Sequence, residues 1–344
     1  GNTELREGAA DAGRAHRPLV CAGALQECAS GCAGMSRAIE LTEQVIRLVG
    51  DRAEAEVVAL HGNLALTRFA NSFIHQNVAE DADTVSLRVA MDGRVASART
   101  TTTTPEALAY FVEAALETAA LQPIDDDWPG LAPPAAVPPV EHVDDATFDA
   151  DPAARAGVVK AFIDAGNGMM AAGYCQTEGR AEAFANSAGQ AAAGRRSSAF
   201  IDGIHQTATS AGGAHAASVA IGDLDGTAVG ELAARRAIDS AAPFDAKPGE
   251  YEVVLAPEAV ATIGVFLGFY GFNGKMLSEG QSFVYLGRRQ FDERFQMWDD
   301  VTDPRAMGVP FDTEGTPKGR LDIVVDGVTS GVANNRKTAK KLGA

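Results

Sequence analysis

The apolar positions Ile39, Val45, Ile46 and Val49 recur at helical spacing, which predicts an amphipathic helix opening at Met35-Ser36. The period then changes to two. Residues 53–60 alternate and 64–70 follow as a second strand. Residues 84–91 and 94–100 flank Asp92-Gly93, the dipeptide suited to a tight hairpin whose central residues are left-handed. Helical spacing returns after Thr104-Pro105-Glu106 and runs to about Leu121. There Thr104 can cap the helix and Pro105 suits its first turn, where a missing N–H costs nothing.

Residues 122–141 hold six prolines and the run Asp125-Asp126-Asp127, so they read as a linker or an extended surface strap. A helix is predicted over 151–165, ended by Gly166 and Gly168. A strand-rich region then reaches about residue 220. Next come a helix over 226–241, a strand over 251–256, and an apolar helix over 257–272 read as buried. Further strands and loops lead to 321–325, a turn at Asp326-Gly327 and a basic helix near 336–342. The pattern predicts an α+β protein: an N-terminal domain (35–121) of antiparallel strands flanked by helices, a Pro-rich linker (122–150), and a C-terminal strand-rich mixed α+β domain (151–344). Residues 1–34 show neither period and are expected to be a disordered extension, with Met35 as the natural start. One echo stands out. Phe69-Ala70-Asn71-Ser72 recurs as Phe184-Ala185-Asn186-Ser187, each time where an alternating strand enters a turn; the turn chemistry of Asn and Ser accounts for it.

Charge narrows the possible partners. The formal net charge is -17 and the pI about 4.7. Such a surface repels phosphate backbones and anionic headgroups, so neither nucleic acid nor a membrane is expected as a partner. The most apolar stretch, 259–272, is too short to cross a bilayer and is interrupted by Gly264, Gly268 and Gly271. A cytoplasmic location is expected.

The chain offers little conventional catalytic chemistry. Cys21, Cys28 and Cys32 cluster without a second cysteine pair, and His16 is the one candidate for a fourth ligand; Cys175 reads as a small core residue. No H-E-x-x-H or H-E-x-x-x-H helix and no G-x-S-x-G elbow occurs. Gly271, Gly274 and Lys275 have the wrong spacing for a phosphate loop, and Met276 stands where a hydroxyl is required. His61, His75 and His205 fall on or beside predicted strands, where satisfied histidines are the simpler reading. Asp299, Asp300, Asp303, Asp312 and Glu314 form an acidic loop.

Five separated stretches change this picture. They are Arg68-Phe69-Ala70-Asn71-Ser72 with Ile74 and Gln76; Ala185-Asn186-Ser187 with Gly189; Tyr251 to Leu255 followed by Pro257-Glu258-Ala259; Asp303-Pro304 with Gly308 and Phe311 to Pro317; and Asp326-Gly327-Val328 with Thr338 to Gly343. In this order and spacing they resemble the TldD/PmbA family of metalloproteases, whose members are also described as modulators of DNA gyrase. The resemblance covers the chain from about Met35 onward. It implies two kinds of subunit. One carries H-E-x-x-x-H, whose histidines bind zinc and whose glutamate activates water. In this chain the matching positions are Pro257, Glu258 and Thr262, so the two histidines are replaced and only the glutamate stays. The chain is thus similar to the PmbA (TldE-like) kind, the partner without the metal motif.

The resemblance implies a heterodimer with an H-E-x-x-x-H-bearing homologue, zinc in that partner and no cofactor in this chain, and unfolded or small peptides as substrate. No catalytic and no metal-binding residue is expected here. Arg68, Asn71, Ser72, Glu258, Asp303, Asp312 and Glu314 are the candidates for substrate or interface positions. Family members continue with further strands after the Thr-Ala-x-x-Leu-Gly helix, so ending at Ala344 implies a C-terminally truncated second domain. The alternative function is a peptide-binding module that acts alone without hydrolysis. A third reading, an unconventional enzyme built on Glu258 and distant histidines, would require metal in the isolated chain.

Overall fold

A computed structural model describes residues 31–343. The expectations for residues 1–30, including His16, Cys21 and Cys28, lie outside the described residues, as does the side chain of Cys32. Helix α1 (Gly31–Val49) begins four residues before Met35. Three strands follow: β1 (Glu54–Ala70), β2 (Phe73–Met91) and β3 (Arg94–Thr100). Helix α2 (Pro105–Leu121) starts as its sequence dictates, with Thr104 Oγ1 accepting from Ala107 N and Pro105 in the first turn. The stretch expected as linker contains a short helix, α3 (Asp145–Phe148), and α4 (Pro152–Ala165) follows it, capped by Asp151 and ended at Gly166. Strands β4 (Met170–Asn186), β5 (Ala191–Gln206) and β6 (Ala211–Ser218) precede α5 (Gly226–Asp239). The remainder comprises α6 (Pro257–Tyr270), α7 (Gly274–Ser278), the short strands β7 (Met297–Asp299), β8 (Leu321–Val325) and β9 (Val328–Thr329), and α8 (Arg336–Leu342).

The α+β class holds, and its layout differs from the two separate domains expected. One antiparallel sheet runs β3-β2-β1-β4-β5-β6, joining strands from both sides of the linker. The sheet is two copies of one plan, helix–three strands–helix, meeting at β1 and β4. Residues 53–70 form one strand rather than two, because β2 and β4 pair along nearly the whole of β1 and carry His61-Gly62-Asn63 through. Likewise β2 begins at Phe73. The Phe-Ala-Asn-Ser echo marks the same joint in each copy. Ser72 N donates to Ala171 O and Ser72 Oγ accepts from Ala171 N; Ser187 N donates to Ala55 O and Ser187 Oγ accepts from Ala55 N. In each case a serine just past a strand ties its turn to the strand of the other copy.

Alternation sends odd-numbered residues of β1 and β4 toward the helices. Ala55, Val57, Ala59, Val85, Leu87 and Val89 pack beneath α1 and α2. Phe69, Ala171, Cys175 and Ile201 pack beneath α4 and α5. Polar groups enter this second core. Arg155 of α4 is 1% exposed and donates to Thr67 Oγ1, Thr177 Oγ1 and Ala150 O. Burial beside it pushes the Cys175 thiol up to about 11, so it is an inert core thiol.

Two expectations fail in the C-terminal part. Residues 251–256 form no strand, and they take no part in the sheets of the described residues. Helix α6 is not buried: none of its residues is, and Val260, Phe266, Phe269 and Tyr270 are about half or more exposed. Among the described residues, no helix is long and apolar enough to cross a membrane.

Candidate functional site

The face of the sheet opposite the helices, reached by even-numbered residues of β1 and β2 and odd-numbered residues of β3, carries the polar chemistry. Glu56 of β1 lies opposite Arg88 of β2, and Arg88 lies opposite Ser97 of β3; one step along, Val58, Ser86 and Arg99 form the next row. The acidic loop descends on this face. Phe311 and Val309 pack against Phe184 and Ala192, and this apolar plug sets the depth of the loop. Asp312 Oδ1 accepts from Glu314 N and Thr316 N, both at 2.8 Å, which folds the loop into a tight turn and aims Glu314 inward. Arg88 then bridges two carboxylates: it bonds Glu56, and its Nη2 lies 2.8 Å from Glu314 Oε1. Glu314 Oε2 accepts from Arg336 N at the start of α8. Glu56 and Glu314 are both nearly buried, and Trp128 of the linker covers the Arg88 guanidinium at 5.3 Å.

Burial raises the Glu56 pKa above the usual carboxylate range; Arg88 pulls it back, while the Glu314 and Asp312 charges push with the burial. A cleft of about 510 Å³ opens beside the cluster, lined by Ser86, Arg88, Ser97, Arg99, Thr313 and Asn335 among others. Its hydroxyls, amide and guanidinium suit hydrogen bonding to a polar ligand such as a peptide backbone. It presents no nucleophile paired with a base.

The linker and the second echo hold this assembly. Asn186 Oδ1 accepts from Ala188 N and Gln190 N, and its Nδ2 donates to Ala132 O. Gln190 Nε2 donates to Gly315 O, and its Oε1 accepts from Ala135 N. Lys337 of α8 pairs with Asp125, and Lys341 with Asp127, so the acidic linker clasps the basic helix.

The seven residues singled out in the sequence occupy separate places. Asp312 and Glu314 belong to the arginine-bridged cluster. Asp303 pairs with its neighbour Arg305 in an exposed loop, and that contact holds its pKa far below the ordinary value. Arg68 is exposed near the far end of β1, roughly 40 Å from Glu56 along the strand. Asn71 and Ser72 make the β1–β2 turn, both at positive φ, and Ser72 Oγ donates to Met169 O. Glu258 sits in the first turn of α6, 3.0 Å from Arg236 of α5. Sequence reading missed Glu56, Arg88, Asn186 as a linker anchor, and Gln190. The one available signal was a glutamate set among the apolar residues of β1.

The histidines stand apart. His61 contacts Asp83 and Asp81, and His205 is buried against Phe162, its Nε2 bonded to Phe162 O. Among the described residues no group of three His, Cys, Asp or Glu is placed to hold a metal. At the position matching the zinc motif, Pro257 offers no ligand atom. Thr262 Oγ1 donates to Glu258 O, and Glu258 is engaged with Arg236. This donor set does not fit zinc, which takes thiolate, imidazole or free carboxylate ligands.

Comparison with known proteins accords with the motif resemblance. Residues 248–344 match the PmbA/TldA metallopeptidase C-terminal domain. The fold matches the crystal structure of TldE from Thermococcus kodakarensis, with a TM-score of 0.73, 17% identity, and coverage of 88% of this chain and 71% of that one. It also matches a proposed modulator of a DNA gyrase from Thermotoga maritima (TM-score 0.76, 18% identity, 88% of this chain and 72% of that one). A proposed modulator of DNA gyrase from Bacteroides thetaiotaomicron matches with a TM-score of 0.79, 18% identity, and 90% and 73% coverage. No curated protein matches.

Proposed function

Starting from a chain that is PmbA/TldD metallopeptidase-like, we propose that it is the non-catalytic subunit of a two-subunit peptidase, with the zinc and the reacting glutamate supplied by a homologous H-E-x-x-x-H-bearing subunit. The observation that carries this reading is the α6 N-terminus. A proline and a threonine stand in for both histidines, the threonine hydroxyl is spent on its own helix, and the remaining glutamate is held by Arg236. The backbone N–H of Glu258 itself, and then Arg236, lower the Glu258 pKa, which makes its carboxylate a weak general base for an unheld water. The polar, hydroxyl-bearing face beside Arg88 suits contact with an extended peptide rather than bond cleavage. Unfolded or small peptides are the substrate class, and the cytoplasm is the proposed setting.

The test is co-expression with the H-E-x-x-x-H-bearing family member from the same source, followed by assay on an unfolded peptide. Hydrolysis is expected from the pair and is abolished by a chelator; this chain by itself is expected to be inactive and to hold no zinc. One equivalent of zinc and chelator-sensitive hydrolysis in the isolated chain would overturn the proposal.

A further inference from the structure

The cations of α8 fall at 336, 337, 340 and 341, a spacing that sets them on one side of the helix. All four reach the acidic part of the linker. Lys337 pairs with Asp125 and Lys341 with Asp127, while Lys340 Nζ donates to Trp128 O and Arg336 Nη2 to Leu131 O. Trp128 in turn lies over the Arg88 guanidinium, and its Nε1 donates to Glu54. Residues 126–131 thus form a strap between α8 and the arginine-bridged cluster. Both ends of the strap are pinned to the sheet. At one end Asp125 N donates to Gly93 O. At the other, Asn186 Nδ2 donates to Ala132 O and Ala135 N to Gln190 Oε1.

The pins are hydrogen bonds to turns of the sheet, whereas charge holds the middle. No residue from 122 to 131 is buried, and Ala132 is the first that is, so apolar packing does little to seat the strap. The two lysine–aspartate pairs reach solvent, and pairs of that kind weaken as salt screens them. Other groups oppose closure. Arg88 Nε, Thr316 Oγ1 and Arg336 Nε are buried with no hydrogen-bond partner among the described residues. Arg88 lies under Trp128, and Thr316 and Arg336 line a hollow of about 380 Å³ bordered by Pro129 of the strap. Burying an unpaired polar atom costs stability, and lifting the strap would give these atoms to water. Asn335 borders both this hollow and the larger cleft beside Arg88.

We propose that residues 126–131 are a salt-sensitive gate on the Arg88 cleft, latched by α8 and released when the clasp of lysines and aspartates is screened. Closed, Trp128 shields the guanidinium that bridges Glu56 and Glu314. Open, the hollow and the cleft run together past Asn335 and admit a longer polar ligand. The gate consists of this chain's own contacts and needs no second subunit, so it stands or falls apart from the two-subunit reading.

The test follows Trp128 by fluorescence in the full chain carrying Trp298→Phe, which removes the other tryptophan. Acrylamide quenching is measured from about 10 mM to about 1 M NaCl, over which the Debye length falls from about 30 Å to about 3 Å. The quenching constant should rise at least about threefold across that range while circular dichroism shows the fold intact. Asp127→Lys should expose Trp128 already in low salt. Adding Lys341→Asp should restore the protection, because the pair forms again with its charges exchanged. Asp127 and Lys341 both reach solvent, so neither change disturbs a core, and the salt series on the chain with Asp127 and Lys341 intact needs neither. Quenching that stays low at every salt concentration would overturn the gate and make the strap a fixed wall. Strong quenching already in low salt, with Asp127 and Lys341 intact, would overturn it as well. So would failure of Lys341→Asp to restore protection to Asp127→Lys.

Discussion

Helices α2 and α6 open alike as sequence. Each starts Pro-Glu-Ala; α2 then sets Glu113 and Glu117 into a largely apolar run, and the rest of α6 carries no charge. Their surroundings differ completely. Leu108, Phe111, Val112, Ala115, Leu116 and Ala119 of α2 are buried against the sheet, whereas no residue of α6 is buried and Leu267 is partly buried against the cluster around Phe272. The local signals that start a helix are satisfied within one turn and depend on no distant neighbour. Burial depends on what the chain brings opposite. For α2 that is the hairpin of β2 and β3, close in sequence; for α6 the described residues supply a partial cover at Leu267.

The same contrast holds for ion pairs. Arg88 lies between two nearly buried carboxylates, while Arg236 meets Glu258 at the surface. Arg88→Met strands Glu56 and Glu314 without a cation and should cost about 3–5 kcal/mol at neutral pH, measured by denaturant unfolding. Arg236→Met should cost far less, since water screens a surface pair. Equal losses for the two would show that the Arg88 cluster is as well hydrated as the surface pair.

Truncation separates the helices next. Leu108→Ala removes a fully buried side chain from α2 and should destabilise the isolated chain by about 2–5 kcal/mol. Phe266→Ala in α6 should change it by no more than about 0.5 kcal/mol. A large loss at Phe266 in the isolated chain would mean that α6 is covered in solution.

The smallest expected effect is a pH slope in the second half of the sheet. Burial lowers the His205 pKa, against the opposing bond from its ring to Phe162 O. The unfolded chain therefore binds a proton before the folded chain does. Stability from this residue is full above the unfolded value, about 6.5, and falls as pH drops below it toward the lowered folded value. Glu56 works in the opposite sense: its raised pKa means the folded chain holds the proton longer, so its penalty appears as pH rises from about 4.5. Replacing His205 with Gln should flatten the fall below about pH 6.5 and leave the Glu56 effect intact. An unchanged profile would assign the fall to other groups.

Local order was legible in the sequence: the hairpin at Asp92-Gly93, the cap Thr104, the start of a helix at Asp151 and its stop at Gly166. All depend on a residue and its near neighbours. The echo at Asn71-Ser72 and Asn186-Ser187 was visible as letters, but its meaning was not. Each serine bonds a strand roughly a hundred residues or more away. The Glu56–Arg88–Glu314 cluster was illegible for the same reason: Glu314 lies 226 residues from Arg88, and only the packing of Phe311 on Phe184 brings them together.

The sequence by itself determined the helices, most of the strand periods, the acidic charge and the absence of an H-E-x-x-x-H motif, because each follows from side-chain chemistry and short-range spacing. Only the tertiary structure decided that six strands form one sheet, that two distant glutamates share an arginine, and that an apolar helix stays mostly exposed. Those outcomes rest on which surfaces meet across long stretches of chain, and hydrophobic pattern marks a surface as needing cover without saying what provides it.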